Sequence, residues 1–157
     1  MKLRGKESSG PATKVVVIPR DEGDDLVFKV QAVLNYADFE ALNPMPKPPV
    51  LTFAGGAKRE DTTDPDFQEA VLKRVTQRFY WMYIKSLEAT ADLEWTTVKL
   101  NEPDTWANFE KELLEWITEY ELRVIKDKVM EVNGLNEDKI TEATNSFLAR
   151  LEAAQSK

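Results

Sequence analysis

A dense proline segment divides this chain and limits what can form on either side of it. Four of the six residues at 44–49 are proline. Proline lacks a backbone N–H and has a fixed φ, so it is excluded from helix interiors and central strands. The segment should therefore follow an extended, polyproline-like path. Together with the polar stretch around Gly55 and Gly56, it predicts a long surface loop or arm over 43–63.

The residues before the arm have the pattern of a β hairpin. Two β-branched runs, Thr13–Ile18 and 26–34, flank a turn-rich break. A lone two-stranded hairpin is marginally stable, so a helix, a further strand or a partner chain must cover one of its faces. Residues 1–12 have no hydrophobic period and are predicted to be a flexible tail. Residues 35–42 are compatible with one or two helical turns.

Helical periodicity begins after the arm. Asp64 is a capping residue and Pro65 suits the first helical position, so a helix is predicted over about 64–89. Extra apolar residues near its C-terminal half indicate a central helix with neighbours on several sides. Its apolar stripe is Phe67, Val71, Val75, Phe79 and Met82.

The next stretch is less regular. Residues 93–100 alternate enough for a short strand, and a loop with Trp95 buried is equally consistent. Pro103 predicts the start of another helix, with Asp104 in its first turn. The buried face of that helix would consist of Trp106, Phe109, Leu113, Trp116 and Ile117.

Two further helices complete the predicted pattern. The capping-box form of TEYE predicts a helix that starts at Thr118 and ends before Gly134. Asn136 should cap a last helix that runs to about residue 154. The apolar stripes of these helices are Leu122, Ile125, Val129 and Val132 in the first, and Ile140, Ala143, Phe147 and Leu151 in the second.

These elements predict a mainly α protein of about four helices with a small N-terminal β hairpin, α+β overall. The chain divides into a flexible tail at 1–12, the β hairpin plus proline-rich arm at 13–63, and a helical domain at 64–157. Hydrophobic residues make up 42% of the 157 residues, which is enough for a core. No internal repeat or long heptad pattern is present.

The residue types that the chain lacks exclude much of catalytic chemistry. It has no histidine and no cysteine, which excludes histidine bases, the common nucleophile–histidine systems, disulfides and zinc sites built on these ligands. Gly55 and Gly56 match no phosphate-binding motif. We therefore predict no catalytic residue, no cofactor and no metal site, and we do not expect an enzyme.

Acidic groups are the remaining candidates for chemistry. They fall in turns and first helical turns, where capping and solvation account for them, so a carboxylate-based enzyme is the least favoured class. The groups are Asp24 and Asp25; Glu60 and Asp61; Glu110, Glu112 and Glu115; and Glu137 and Asp138.

The charge balance limits the partners. With 28 acidic and 21 basic residues the net charge is −7, and such a chain repels nucleic-acid phosphates. No apolar run approaches the roughly 20 residues of a membrane span, and no secretory signal pattern is present at the start. We expect a protein partner, no nucleic acid, no membrane and a cytosolic location. No oligomeric state is predicted.

Aromatic residues supply the candidate contact surface. In the run at 79–83, Phe79 and Met82 are predicted to be core, and the other three residues cannot all face the same core. One or two of them should face the arm or a partner, because interfaces favour aromatic side chains. The predicted partner-binding residues are Tyr80, Trp81, Tyr83, Trp106 and Trp116.

The arm has two interpretations. It could dock into an aromatic groove of a partner, or fold back over Trp81 or Trp95 as a spacer, which is slightly favoured. The residues concerned are Pro44, Met45, Pro46, Pro48 and Pro49.

The order of these features resembles a known family. About residues 36–149 contain NPMPKPP, a DPDF helix start, a Phe-Tyr-Trp helix ending in KSLE, EWTTVKLNEPDTW, an FEKEL helix and NGLNEDKITEATNSFL. This arrangement is similar to the small tail assembly chaperones of long-tailed bacteriophages of the siphophage type. The matching motifs are packing and capping patterns, and they carry no catalytic residue.

The resemblance implies a function in virion assembly. Such chaperones bind the long, helical tape-measure protein, keep it soluble, help tail-tube subunits polymerise around it, and are usually absent from the finished particle. Many are made in short and frameshifted long forms. A tape-measure or tail-tube partner in the host cytoplasm during phage assembly is thus expected. Two alternatives stay open: a structural virion component, such as a connector or decoration protein, and a phage-encoded inhibitor of a host protein.

Overall fold

The structure, a computed structural model, describes residues 2–8, 10–135 and 137–155. Its first elements are two short strands, β1 (Lys2–Leu3) and β2 (Lys6–Glu7), which pair antiparallel. Arg4 and Gly5 form the turn with φ of 52° and 76°, a region that glycine adopts at little steric cost. The sequence predicted no regular structure here, because strands this short have no detectable period.

The predicted N-terminal hairpin is present. Strands β3 (Thr13–Ile18) and β4 (Leu26–Gln31) pair antiparallel, with Val16 opposite Phe28. Side chains alternate across the sheet, so one face is buried and the other is exposed. The buried face consists of Val16, Ile18, Phe28 and Val30, and the exposed face includes Val15, Val17 and Val27.

The predicted arm contains a hairpin of its own. After the short helix α1 (Ala37–Leu42), the proline segment leads into β5 (Val50–Thr52) and β6 (Lys58–Glu60), which pair antiparallel. Two glycines with positive φ lie in the connecting turn. Both strands are exposed throughout. A strand without a buried face shows no alternation of apolar and polar residues in the sequence, and that alternation is the usual sign of a strand. The sequence predicted a surface loop here.

Helix α2 (Pro65–Leu87) starts as predicted, because the Asp64 carboxylate accepts the N–H of Phe67 at 2.9 Å. Its C-terminal part is buried and packs against β4, while none of its residues before 81 is fully buried. Met82 is in the core, but Phe79 is 40% exposed. The core assignment of Phe79 is therefore wrong, because the helix extends beyond the elements that cover its C-terminal part.

The predicted helix from Pro103 is interrupted. Pro103–Thr105 forms a single 3-10 turn, and α3 (Asn108–Leu113) follows. The Thr105 hydroxyl accepts the Lys99 N–H at 2.9 Å and donates to the Glu102 carbonyl at 2.7 Å, which ties this turn to the preceding loop. Residues 93–100 form no strand; they are irregular, with Trp95 half-buried.

Helix α4 (Glu119–Val132) has the predicted capping box between Thr118 and Glu121. Gly134, at a φ of 70°, ends it. The helix packs against α2 and both strands of the β3–β4 hairpin. The predicted stripe is confirmed, since the buried residues are Leu122, Ile125, Val129 and Val132.

The last helix, α5 (Glu137–Gln155), is present where it was predicted. Its expected cap, Asn136, lies outside the described residues, as do the side chains of Ile140 and Ala143. The stripe residues Phe147 and Leu151 are exposed rather than packed. No helix in the described part of the chain combines the length and apolar character needed to cross a bilayer.

The protein is α+β. Its described residues form five α-helices and three two-stranded antiparallel sheets. The sequence predicted about four helices and one hairpin. The additional elements are short, and they were treated as turns, loop or tail because one or two turns of helix and three-residue strands leave little periodic signal.

Candidate functional site: an acidic groove beside Trp116

Three of the predicted partner-binding aromatics are core residues. Trp81, Tyr83 and Trp106 are 2%, 9% and 0% exposed, so a partner cannot reach them without opening the core. Their assignment to a docking surface is therefore wrong. Tyr80 is half-buried, and its ring lies 5.7 Å from that of Phe109.

Helix α1 explains why these rings are buried. Phe39 is fully buried, with its ring centroid 6.0 Å from that of Trp81 and 5.9 Å from that of Trp106. Tyr83 stacks on Phe109 at 5.4 Å. Aromatic side chains from α1 and α3 therefore contact α2 at residues that lie outside its predicted hydrophobic stripe.

The arm residues lie on the surface. Pro44, Met45 and Pro49 are exposed, while Pro46 and Pro48 are half-buried. Whether they dock into a partner stays a prediction. The base of the arm is attached to α2, because the Arg74 guanidinium donates to the Asn43 carbonyl at 2.9 Å and forms an ion pair with Glu40.

Trp116 is the predicted contact residue that the structure leaves accessible. Its side chain is 68% exposed, although the stripe of the predicted helix placed it in the core. The early end of α3 at Leu113 explains the difference, because Trp116 follows the helix and leaves its buried face. Its carbonyl accepts the Arg20 guanidinium at 3.0 Å, which fixes the backbone there.

Trp116 lines a cavity of about 370 Å³, a size suited to a bound side chain or small group. Its walls come from the start of β4 (residues 25–28), the loop at 90–96 and the end of α3 with the turn after it (residues within 112–116). We call this cavity the acidic groove. A larger cavity of about 450 Å³ lies beside 31–35, but no aromatic residue lines it.

The lining of the acidic groove carries charge of one sign. It contains five carboxylates and no lysine or arginine among the described residues. Low-dielectric walls with one sign of charge concentrate the field and attract the opposite charge. The groove therefore favours a cationic group. The five residues are Asp25, Asp92, Glu94, Glu112 and Glu115.

Glu112, one of these five residues, stabilises the wall of the groove. Its carboxylate accepts the backbone N–H groups of 96, 97 and 98 at 2.6, 3.1 and 3.1 Å, and the Thr97 hydroxyl at 2.8 Å. Desolvation raises the pKa of Glu112, but these hydrogen bonds outweigh it and the net pKa lies below its ordinary value. The charged carboxylate thus holds the loop that carries Trp95.

Trp95 forms another part of the wall. Its indole N–H is shielded from solvent and has no hydrogen-bond acceptor among the described residues. A shielded donor without an acceptor costs roughly 1–3 kcal/mol.

The edge of β4 supplies the backbone groups of the groove. Lys29 directs its N–H and C=O away from β3, since both bond to the Thr90 hydroxyl at 3.0 Å. Backbone direction alternates in an antiparallel ladder, so Val27, two residues earlier, also points its N–H and C=O outward. These groups of Val27 have no partner among the described residues.

The acidic groove therefore combines an open strand edge, an exposed indole and uncompensated carboxylates. No three acidic residues in the described part of the chain are placed to hold a metal ion together. This arrangement can bind a peptide backbone, an apolar or aromatic group and a cation.

Sequence reasoning named Trp116 as a contact residue and missed Val27. A two-stranded hairpin always has open edges, so the sequence could have indicated a binding site at a strand edge. Which edge residue lies beside Trp95 and Trp116 depends on tertiary packing. Comparison of the chain with protein-family models, with curated proteins and with solved structures finds no match.

Proposed function

We propose that this chain is a non-catalytic phage tail assembly chaperone that binds the tape-measure protein and assists tail-tube polymerisation in the host cytoplasm. The observation that carries the proposal is the exposed Trp116 at the rim of the acidic groove. Tryptophan is enriched in the residues that dominate binding energy at interfaces. An exposed tryptophan beside an open strand edge suits binding of another chain.

The physical requirements of such a chaperone support the proposal. A tape-measure protein exposes apolar stripes before the tail tube covers them. A protein that holds it needs apolar contact surface, together with enough net charge to stay dispersed. The net charge of −7 and the exposed indole of Trp116 meet both needs. The lack of histidine and cysteine agrees with a role in binding rather than catalysis.

Co-expression with a phage tape-measure protein tests the proposal. The wild-type chain should raise the soluble yield of the tape-measure protein and co-purify with it. Trp116→Ala should lose most of this effect. Tyr120→Ala is the matched control, because Tyr120 is 71% exposed and does not line the groove. An unchanged soluble yield with the wild-type chain, without co-purification, would contradict the proposal.

One observation favours a structural virion component as the second candidate. The β5–β6 hairpin of the arm is exposed on both strands, and it carries the exposed apolar side chains of Val50, Leu51 and Phe53. Exposed strands with apolar side chains can pair with a neighbouring subunit. Mass spectrometry of purified particles separates the candidates: a stoichiometric amount of the chain favours the virion component, and its absence favours the chaperone.

A further inference from the structure

The β4 edge and the acidic groove together define which kind of segment can bind. We propose that the groove takes an extended segment that contains lysine or arginine, and that this segment adds to β4 by pairing with Val27. This inference rests on the proposed function, in that the chain works by binding another protein. It adds the conformation and the charge of the bound segment.

The backbone of β4 sets the conformation. Val27 offers an outward N–H and an outward C=O, which is the pair that an added strand uses. Thr90 bonds to both backbone groups of Lys29 at 3.0 Å and so closes the edge there. An added segment can therefore extend from Val27 toward Asp25, but it cannot pass Lys29. The ladder must be short, and side chains must supply the rest of the affinity.

The lining of the groove sets the charge. Glu112 is bonded to backbone N–H groups, and Asp25 accepts the Arg20 N–H at 2.9 Å. The exposed carboxylates of Asp92, Glu94 and Glu115 have no hydrogen bond or ion pair among the described residues. An acidic segment would be repelled at this site, while lysine or arginine would be attracted.

Trp116 supplies the side-chain contact. An indole face attracts lysine and arginine by the cation–π interaction and also packs against aliphatic stems. Since the ring is 68% exposed, it can contact an incoming side chain without rearrangement of the core. One basic residue next to an aliphatic residue would therefore use both the charge and the apolar surface of the groove.

Peptide titration followed by Trp fluorescence and isothermal calorimetry tests the inference. The probe is an end-blocked peptide of alternating lysine and valine. It should bind the full chain, and binding should weaken as salt is added. A peptide of alternating glutamate and valine should bind at least about tenfold more weakly, as should the lysine peptide with N-methylated central amides, because a change of about 1.4 kcal/mol is tenfold.

Variants separate local charge from net charge. The triple variant Asp92→Asn, Glu94→Gln and Glu115→Gln should weaken binding of the lysine peptide about tenfold. Asparagine suits position 92, where φ is 59°. The control triple variant Glu69→Gln, Glu142→Gln and Glu152→Gln removes the same charge at exposed residues that do not line the groove. It should keep wild-type affinity within about twofold, because distant surface charges are screened.

The outcomes distinguish the inference from the proposed function. If the lysine and glutamate peptides bind equally, or N-methylation has no effect, the inference is wrong. If, in the same set of experiments, the soluble yield of the tape-measure protein still depends on Trp116, the proposed function remains supported and only the proposed mode of binding is wrong. If the lysine peptide binds as described but the tape-measure yield does not change, the groove binds basic segments of a different partner.

Discussion

The Thr90 hydroxyl bonds to both backbone groups of Lys29, accepting its N–H and donating to its C=O at 3.0 Å each. One side chain from the end of the α2 region thus takes the place of a third strand at this point of β4. Two residues earlier, Val27 has the same outward direction and no such partner. The difference between Lys29 and Val27 decides where another chain can add to the sheet.

Removal of the Thr90 hydroxyl should destabilise the fold without lengthening the open edge of β4. Thr90→Val keeps the shape of the side chain but leaves both backbone groups of Lys29 without partners, so we expect a loss of about 1–2 kcal/mol in unfolding free energy. Because the valine still covers the edge at Lys29, affinity for the lysine–valine peptide should not change. Urea denaturation and peptide titration measure these effects. Thr141→Val, at an exposed helical residue, is the control and should change neither.

Substitution of Asn133 should lower the free energy of unfolding by more than the small size of this side chain indicates. Its amide accepts the Val33 N–H at 2.9 Å and donates to the hydroxyl of the fully buried Ser86 at 3.0 Å. It thereby connects the end of α4 to α2 and to the chain after β4. Asn133→Ala should cost about 2 kcal/mol and lower Tm by roughly 4–8 °C. Asn145→Ala on α5 should leave Tm unchanged in the same calorimetric scan.

The ion pair of Arg20 with Glu121 should make stability depend on pH. Two bonds of 2.9 and 3.0 Å join the guanidinium to the carboxylate. Hydrogen bonding by Arg20, followed by the backbone N–H of Thr118, lowers the pKa of Glu121 from 4.5 to about 2. Because the folded-state pKa is lowered, the stabilisation is complete above the unfolded-state pKa and is lost as the pH falls through the folded-state pKa.

Arg20→Gln removes the larger of these interactions. The difference in unfolding free energy between wild type and variant should be constant above about pH 5 and should shrink as the pH falls toward about 2. Denaturant titrations at several pH values measure it. A difference that stays constant across this range would show that the pair does not control the titration of Glu121.

Two tryptophans should respond to substitution in opposite ways. Trp106 is fully buried and its indole N–H donates to the Lys99 carbonyl at 3.1 Å, so Trp106→Ala should cost about 3–5 kcal/mol. Trp116→Ala should change stability by no more than about 0.5 kcal/mol while it removes most of the binding to the tape-measure protein. Circular dichroism during denaturation measures the first effect, and co-purification the second. A large loss of stability in Trp116→Ala would mean that this residue acts through packing.

The parts of the fold that depend on local sequence were predictable. The cap of α2 at Asp64, the capping box at Thr118 and the Gly134 terminus each involve residues within one turn of each other. The β3–β4 hairpin was recognisable because its two strands are rich in β-branched residues and flank a turn-rich break. The β5–β6 hairpin was not, since neither of its strands has a buried face.

The candidate site depends on long-range placement. Val27, Trp95 and Trp116 come from three separate segments, and only tertiary packing brings them to one cavity. The exposure of Trp116 depends on the end of α3, which a stripe of apolar residues did not reveal. The burial of Trp81 depends on Phe39 in α1, a helix too short for its packing to be inferred from periodicity.

Amide hydrogen exchange at Val27, followed by NMR, tests most directly whether β4 has an edge that receives another chain. In the free protein, the Val27 amide should exchange at least about tenfold faster than the amide of Phe28. Phe28 is protected because it pairs with Val16 inside the hairpin. Saturation with the lysine–valine peptide should slow exchange at Val27. Protection of Val27 in the free protein, or no change on saturation with peptide, would show that this edge does not take an added strand.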